Sequence, residues 1–92
     1  MDADELQQQL KEVCIAVTHE ALDSRLTVRD VREYVKVLNS AAQISTGLSR
    51  RIQRVGMEEA RNDILRFVAV AVRTIERVRQ AVVDRASKKD TP

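Results

Sequence analysis

His19 and Cys14 are the one histidine and the one cysteine of the chain, and they set the limit on nucleophilic and metal chemistry. A thiol activated by an imidazole needs the two side chains on one face. On a helix, five residues of separation turn them apart by about 140°. Asp23 stands four residues after His19, so that a carboxylate can orient the imidazole, but two donors do not make a metal site. Cys14 lies beside the stripe Leu10–Val13–Val17 and reads as a small buried hydrophobe. Glu58 and Glu59 are adjacent and point apart, unlike a carboxylate pair built for acid–base work. Gly47 and Gly56 are isolated, so no glycine-rich phosphate loop is present. The expectation is a protein without catalysis, metal or cofactor.

Arginine is the other residue type that could act. Arg50, Arg51 and Arg54 crowd the stretch "RRIQRVGMEEARN", with Arg61 at its far end, and Arg25, Arg29, Arg32 and Lys36 form an earlier basic stripe. These four later arginines are the candidate contacts to a partner or to phosphates. Arg29–Glu33 and Glu33–Lys36 can pair along a helix, which dilutes the first stripe. With Tyr34 and Phe67 the sole aromatics, no stacking platform for single strands accompanies the charge. Sixteen basic residues against fourteen acidic leave a net charge of +2, unlike a dedicated nucleic-acid binder. The distribution is uneven. Residues 1–24 hold one base and six acids, a net of −5, whereas residues 25–54 hold seven bases and two acids, a net of +5.

The elements that carry these residues are helical. Ninety-two residues, two glycines and a proline at the last position describe one small domain with few helix breakers. Its core must be aliphatic. A first helix is predicted over residues 3–23, capped by Asp2 with Glu5 at the third helical position and striped by Leu6, Leu10, Val13 and Val17. A second is predicted over 28–55, started by Thr27 and Asp30 as a capping box with Leu26 stapled on Val31. A third is predicted over 58–87, where Ile64, Val68, Ala71, Ile75, Val78 and Val82 recur at heptad spacing. The domain is thus residues 1–88, with 89–92 a frayed tail.

Gly56 is the expected end of the second helix, in a Schellman turn that brings Met57 onto Ile52. Arg50, Arg51 and Arg54 before it and Glu58 and Glu59 after it sit at the helix ends that stabilise their charges. Gly47, with Ser45 and Ser49, reads as a site of close helix packing or a kink. The fold class is all-α, a short helix against a long antiparallel hairpin with coiled-coil-like packing. The first helix is too short to cover the hairpin. The stripe Ile44, Leu48, Ile52, Ile64, Val68, Ile75 and Val78 therefore predicts self-association, most simply a homodimer. No run of about 18 apolar residues spans a membrane. The acidic N-terminus is unlike a signal peptide, and a lone cysteine fits a reducing cytoplasm.

The window "IQRVGMEEA" (52–60) resembles the hydrophobic–x–Arg–x–Gly–hydrophobic–Glu–Glu–Ala hairpin of small all-helical type I-E anti-CRISPR proteins of phage. The match covers about a tenth of the chain and brings no binding residue with it. The resemblance implies a phage or mobile-element protein, a dimer of helical hairpins that inhibits by binding a larger protein, the recruited helicase–nuclease of interference. The rival expectation from the arginines is a dimeric nucleic-acid-binding regulator or packaging component.

Overall fold

Apolar residues at 3.6-residue period on three segments have one outlet, burial against each other. The structure, a computed structural model describing residues 2–90, shows that outcome. Helices α1 (Ala3–Ala21), α2 (Val28–Val55) and α3 (Met57–Asp90) form an elongated bundle of 58 × 17 × 16 Å. Among the described residues there is no strand, and no helix is long and apolar enough to cross a membrane.

Two clusters make the core. Leu6 and Leu10 of α1 pack with Leu48 of α2 and with Ala60 and Ile64 of α3, near the hairpin tip. Val13 and Val17 pack with Tyr34, Val37, Ala71, Ile75 and Val78 toward the other end. The order of contacts runs α1 antiparallel to α2 and parallel to α3, an up-down-up arrangement. Each fully buried aliphatic side chain contributes about 1.5–3 kcal/mol. The stripe predicted as core and dimer seam lies in or against this core. Leu48, Ile64, Ile75 and Val78 are buried, and Ile44, Ile52 and Val68 are half-buried against them. The apolar surface left over lies elsewhere, at Ile15 on α1, at Leu22 after it, at Val28, Val35 and Val55 on α2, and at Leu65, Val70, Val72 and Val83 on α3.

The helix starts follow their capping residues. Asp2 Oδ1 accepts from the Glu5 amide at 2.9 Å. The Thr27 box is complete: Asp30 N–H donates to Thr27 Oγ1 at 3.2 Å and Thr27 N–H to Asp30 Oδ2 at 3.0 Å. Leu26 packs against the cluster around Tyr34. The end of α1 differs from expectation by two residues. Asp23 Oδ1 accepts from the Arg25 amide at 2.9 Å, and this local turn takes the chain out of the helix after Ala21. The same carboxylate binds the Arg25 guanidinium at 2.7 Å, so Asp23 serves Arg25 and not the exposed His19. At the other end α3 continues through Lys89 and Asp90, where a frayed tail was predicted, since no breaker precedes Pro92; Thr91 and Pro92 lie outside the described residues.

Gly56 alone joins α2 to α3. Its φ of 85° and ψ of 163° lie in a region that side chains exclude. Its N–H donates to Ile52 O at 2.8 Å and its carbonyl accepts from Ala60 N–H at 3.1 Å. One residue thus closes one helix and opens the next. The expected Schellman bond does not form, because Met57, which would donate it, is already the first residue of α3. Met57 and Ile52 still pack against the same cluster.

Ion pairs tie α3 to its neighbours along the rod: Arg51 to Asp63, Arg77 to Glu33 at 2.8 Å, Arg79 to Glu20, and Arg85 to Asp30 at 2.6 Å. The Arg85 hydrogen bond, set against the cost of burial, holds the Asp30 carboxyl below its ordinary range. The Arg79 hydrogen bond does the same for Glu20. Tyr34 is fully buried, its hydroxyl has no partner among the described residues, and burial pushes its ionisation up.

Two outcomes are expected. Gly56→Ala lowers stability by about 1–3 kcal/mol in denaturant unfolding, because any side chain must strain the turn. Depressed carboxylates stabilise the fold above their unfolded range and lose that contribution as pH falls through it. The melting temperature should therefore drop between about pH 5 and pH 3, and Asp30→Asn with Glu20→Gln should flatten that drop.

Candidate functional site

The hairpin tip brings Arg50, Arg51 and Arg54 together. The turns of α2 that carry them face α3, and between the helices lies a groove of about 570 Å³. Gln43, Ile44, Gly47, Asp63 and Ile64 complete its lining. That volume is within the roughly 300–1,000 Å³ of ligand-sized sites. Ile44 and Ile64 supply an apolar floor, and the arginines a cationic rim. Of the four candidate contact arginines, Arg61 is exposed on α3 and takes no part in this lining.

The three arginines are not equivalent. Arg51 Nε donates to Asp63 Oδ2 at 2.8 Å and its NH2 also bonds that oxygen, a fork that clamps α2 to α3. Asp63 also lies 3.9 Å from Arg66. Arg50 and Arg54 have no carboxylate within ion-pair distance among the described residues, and both are exposed. The helix dipole explains Arg54, which stands in the last turn of α2. Arg50 lies further in, where that effect has decayed.

Gly47 is the residue for which the sequence suggested close helix packing or a kink. No atom lies within 4 Å of where a Cβ would stand, so it permits no close approach inside this molecule. Its φ is not positive. It lines the arginine groove and also an adjoining hollow of about 450 Å³ with Ala42, Gln43, Thr46 and Arg50. A bare stretch of backbone therefore joins two depressions. The signal available in the sequence was a glycine in the middle of a strong helix, three residues before the first of three arginines.

The rest of the basic stripe stays on the surface. Arg29, Lys36 and Arg50 stand seven and then fourteen residues apart on α2, with Gln43 between the last two, and are exposed. The local pairings expected of Glu33 do not form, because its carboxylate accepts from Arg77 of α3. On the other flank of α3, Leu65 and Val72 border a hollow of about 380 Å³ with Gln9, Glu12 and Ala16 of α1. The Gln9 Oε1 atom is enclosed without a donor among the described residues.

Cys14 is half-buried and shares a shallow hollow with Lys11, Ile15, Thr18 and His19. The bond made nearby is from Thr18 Oγ1 to the Cys14 carbonyl, at 2.7 Å. Among the described residues no group of three or more His, Cys, Asp or Glu is placed to hold a metal ion. No family model, curated protein or solved structure matches the chain.

Because nothing fills the space over Gly47, Gly47→Ala should raise stability by about 0.5–1 kcal/mol, read as a higher urea midpoint with an unchanged slope.

Proposed function

We propose that this protein is a non-enzymatic interaction protein that dimerises and binds a larger protein through the arginine-rimmed groove, acting as an inhibitor or regulator. One observation carries the reading: a groove with an apolar floor and two exposed arginines, Arg50 and Arg54, that no carboxylate of the described residues neutralises. Buried apolar contact gives affinity, and rim charge gives approach and orientation. The resemblance of residues 52–60 to type I-E anti-CRISPR proteins supports the narrower version, a phage or mobile-element inhibitor of a host interference enzyme.

The dimer is assigned to a different flank. Leu65 and Val72, 37% and 45% exposed, stand two turns apart beside Ala16, and a second copy there would cover them. That flank leaves the groove between α2 and α3 open in each copy.

A nucleic-acid reading has its own supporting observation, the exposed ladder Arg29, Lys36 and Arg50 along α2. Phosphate contacts would use the ladder and ignore the apolar floor.

The test combines three measurements. In a reconstituted complex with a partner identified from host lysate, Arg50→Glu with Arg54→Glu should weaken binding by about tenfold or more. A partner held equally well by that variant would remove the groove from the reading. In sedimentation, the wild type should be a dimer at high micromolar concentration and Leu65→Arg with Val72→Arg a monomer. A monomeric wild type would sink the dimer. Duplex DNA that binds with a steep salt slope, lost on Arg29→Glu with Lys36→Glu, would turn the decision to nucleic acid.

A further inference from the structure

We infer that the hollow over Gly47 seats an acidic amphipathic helix of the partner, crossing α2 backbone-close at that glycine. The inference rests on the reading of the groove as the partner surface and names what lies in it.

Gly47 is an unused glycine as far as this molecule is concerned. A glycine within a 28-residue helix lowers helix stability relative to alanine. It is kept for one of two internal reasons, a positive φ or a neighbour too close for a Cβ. Gly47 has neither. The remaining use of a missing side chain is approach from outside.

The surroundings specify what approaches. Gln43, Gly47 and Arg50 line both depressions, so the bare backbone is a saddle between them and an occupant can run across α2 without a break. On one side the saddle descends to the half-buried Ile44, with the buried Ile64 beneath, which asks for an aliphatic side chain. Around it stand the exposed Arg50 and Arg54, which ask for carboxylates. Asp63, the acid in the lining, is already taken by Arg51. An apolar ridge flanked by carboxylates one turn apart is the pattern of a helix docked in a groove. An extended strand has no sheet edge to join among the described residues. A small anion would leave the half-buried Ile44 uncovered, and a phosphate backbone would have no use for the glycine.

This chain has an acidic helix of its own, since α1 exposes Asp4, Glu5 and Glu12 around a half-exposed Ile15. It is not the occupant assigned here. The groove is lined by α2 and α3 alone, while α1 is packed on both of them with those residues facing solvent. A copy docked through them would join unlike surfaces, and the self-association of Gly47→Leu reads that case out.

The probe is a labelled synthetic helix of about 18 residues, long enough to be helical, with leucines on one face and glutamates flanking them. A scrambled peptide of the same composition is its control. Both are titrated against the full chain by fluorescence anisotropy. The patterned peptide should bind saturably and the scrambled one about tenfold more weakly or worse. Gly47→Leu should weaken the patterned peptide by a similar factor while its circular dichroism and melting temperature match or exceed the wild type. Equal binding of the two peptides, or full binding by Gly47→Leu, would overturn the inference. So would a self-association abolished by Gly47→Leu, which would make the occupant a second copy. Displacement of the peptide by duplex DNA that Gly47→Leu holds normally would make the hollow a phosphate site. If the partner complex depends on Arg50 and Arg54 but is indifferent to Gly47→Leu, the inference fails and the broader reading stands; if it is indifferent to all three, both fail.

Discussion

A single residue reverses the chain between two helices of 28 and 34 residues, and the register of the whole rod is set there. With Gly56 as the sole connection, a position counted back along α2 meets a position counted forward along α3. Arg51 falls opposite Asp63 near the tip, Glu33 opposite Arg77 further down, and Asp30 opposite Arg85 beyond that. A longer loop would let the helices slide, and partly exposed ion pairs worth roughly 0–1 kcal/mol each could not prevent it. The turn fixes alignment, and the pairs report that it is fixed. The same alignment places Ile64 beside Ile44 and so creates the groove floor.

The aliphatic composition shapes the rest. With one buried aromatic, Tyr34, the core is a narrow seam of Leu, Ile, Val and Ala. Small side chains let three helices approach closely, which gives a rod of 58 × 17 × 16 Å with little interior. Such a molecule has much flank for its mass. Its charged residues are then distributed over long faces, acidic on α1 and basic along α2.

Much of the architecture was legible in the sequence for local reasons. The Thr27–Asp30 box acts within one turn, so the start of α2 could be read directly. The heptad of α3 could be read because its helical period persists over about five turns, from Ile64 to Val82. What was misread depended on contacts between elements or on competing local bonds. Asp23 ended α1 early through its own side chain. Glu33 had plausible partners on its own helix and took Arg77 from another. The aliphatic stripe was counted as surplus because its partner, α1, could not be positioned from sequence. Leu6 and Leu10 in fact reach the hairpin tip and bury Leu48 and Ile64. Arg61 was grouped with Arg50, Arg51 and Arg54 by closeness in sequence, but it lies past the reversal and apart from the groove.

The arginine cluster divides once each member is given its internal task. Arg54 completes the C-terminal end of α2, where a cation opposes the dipole. Arg51 clamps Asp63. Arg50 stands outside the last turn and has no carboxylate among the described residues. It is also three residues from Gly47, which makes them neighbours on the helix surface. Two positions that neighbour each other on the helix surface thus hold residues without an internal partner, one supplying an unneutralised charge and the other removing a side chain. Chance could leave either alone without consequence. Side by side over an apolar floor they are complementary, because a carboxylate-bearing helix needs both a cation to pair with and room for its backbone to come near.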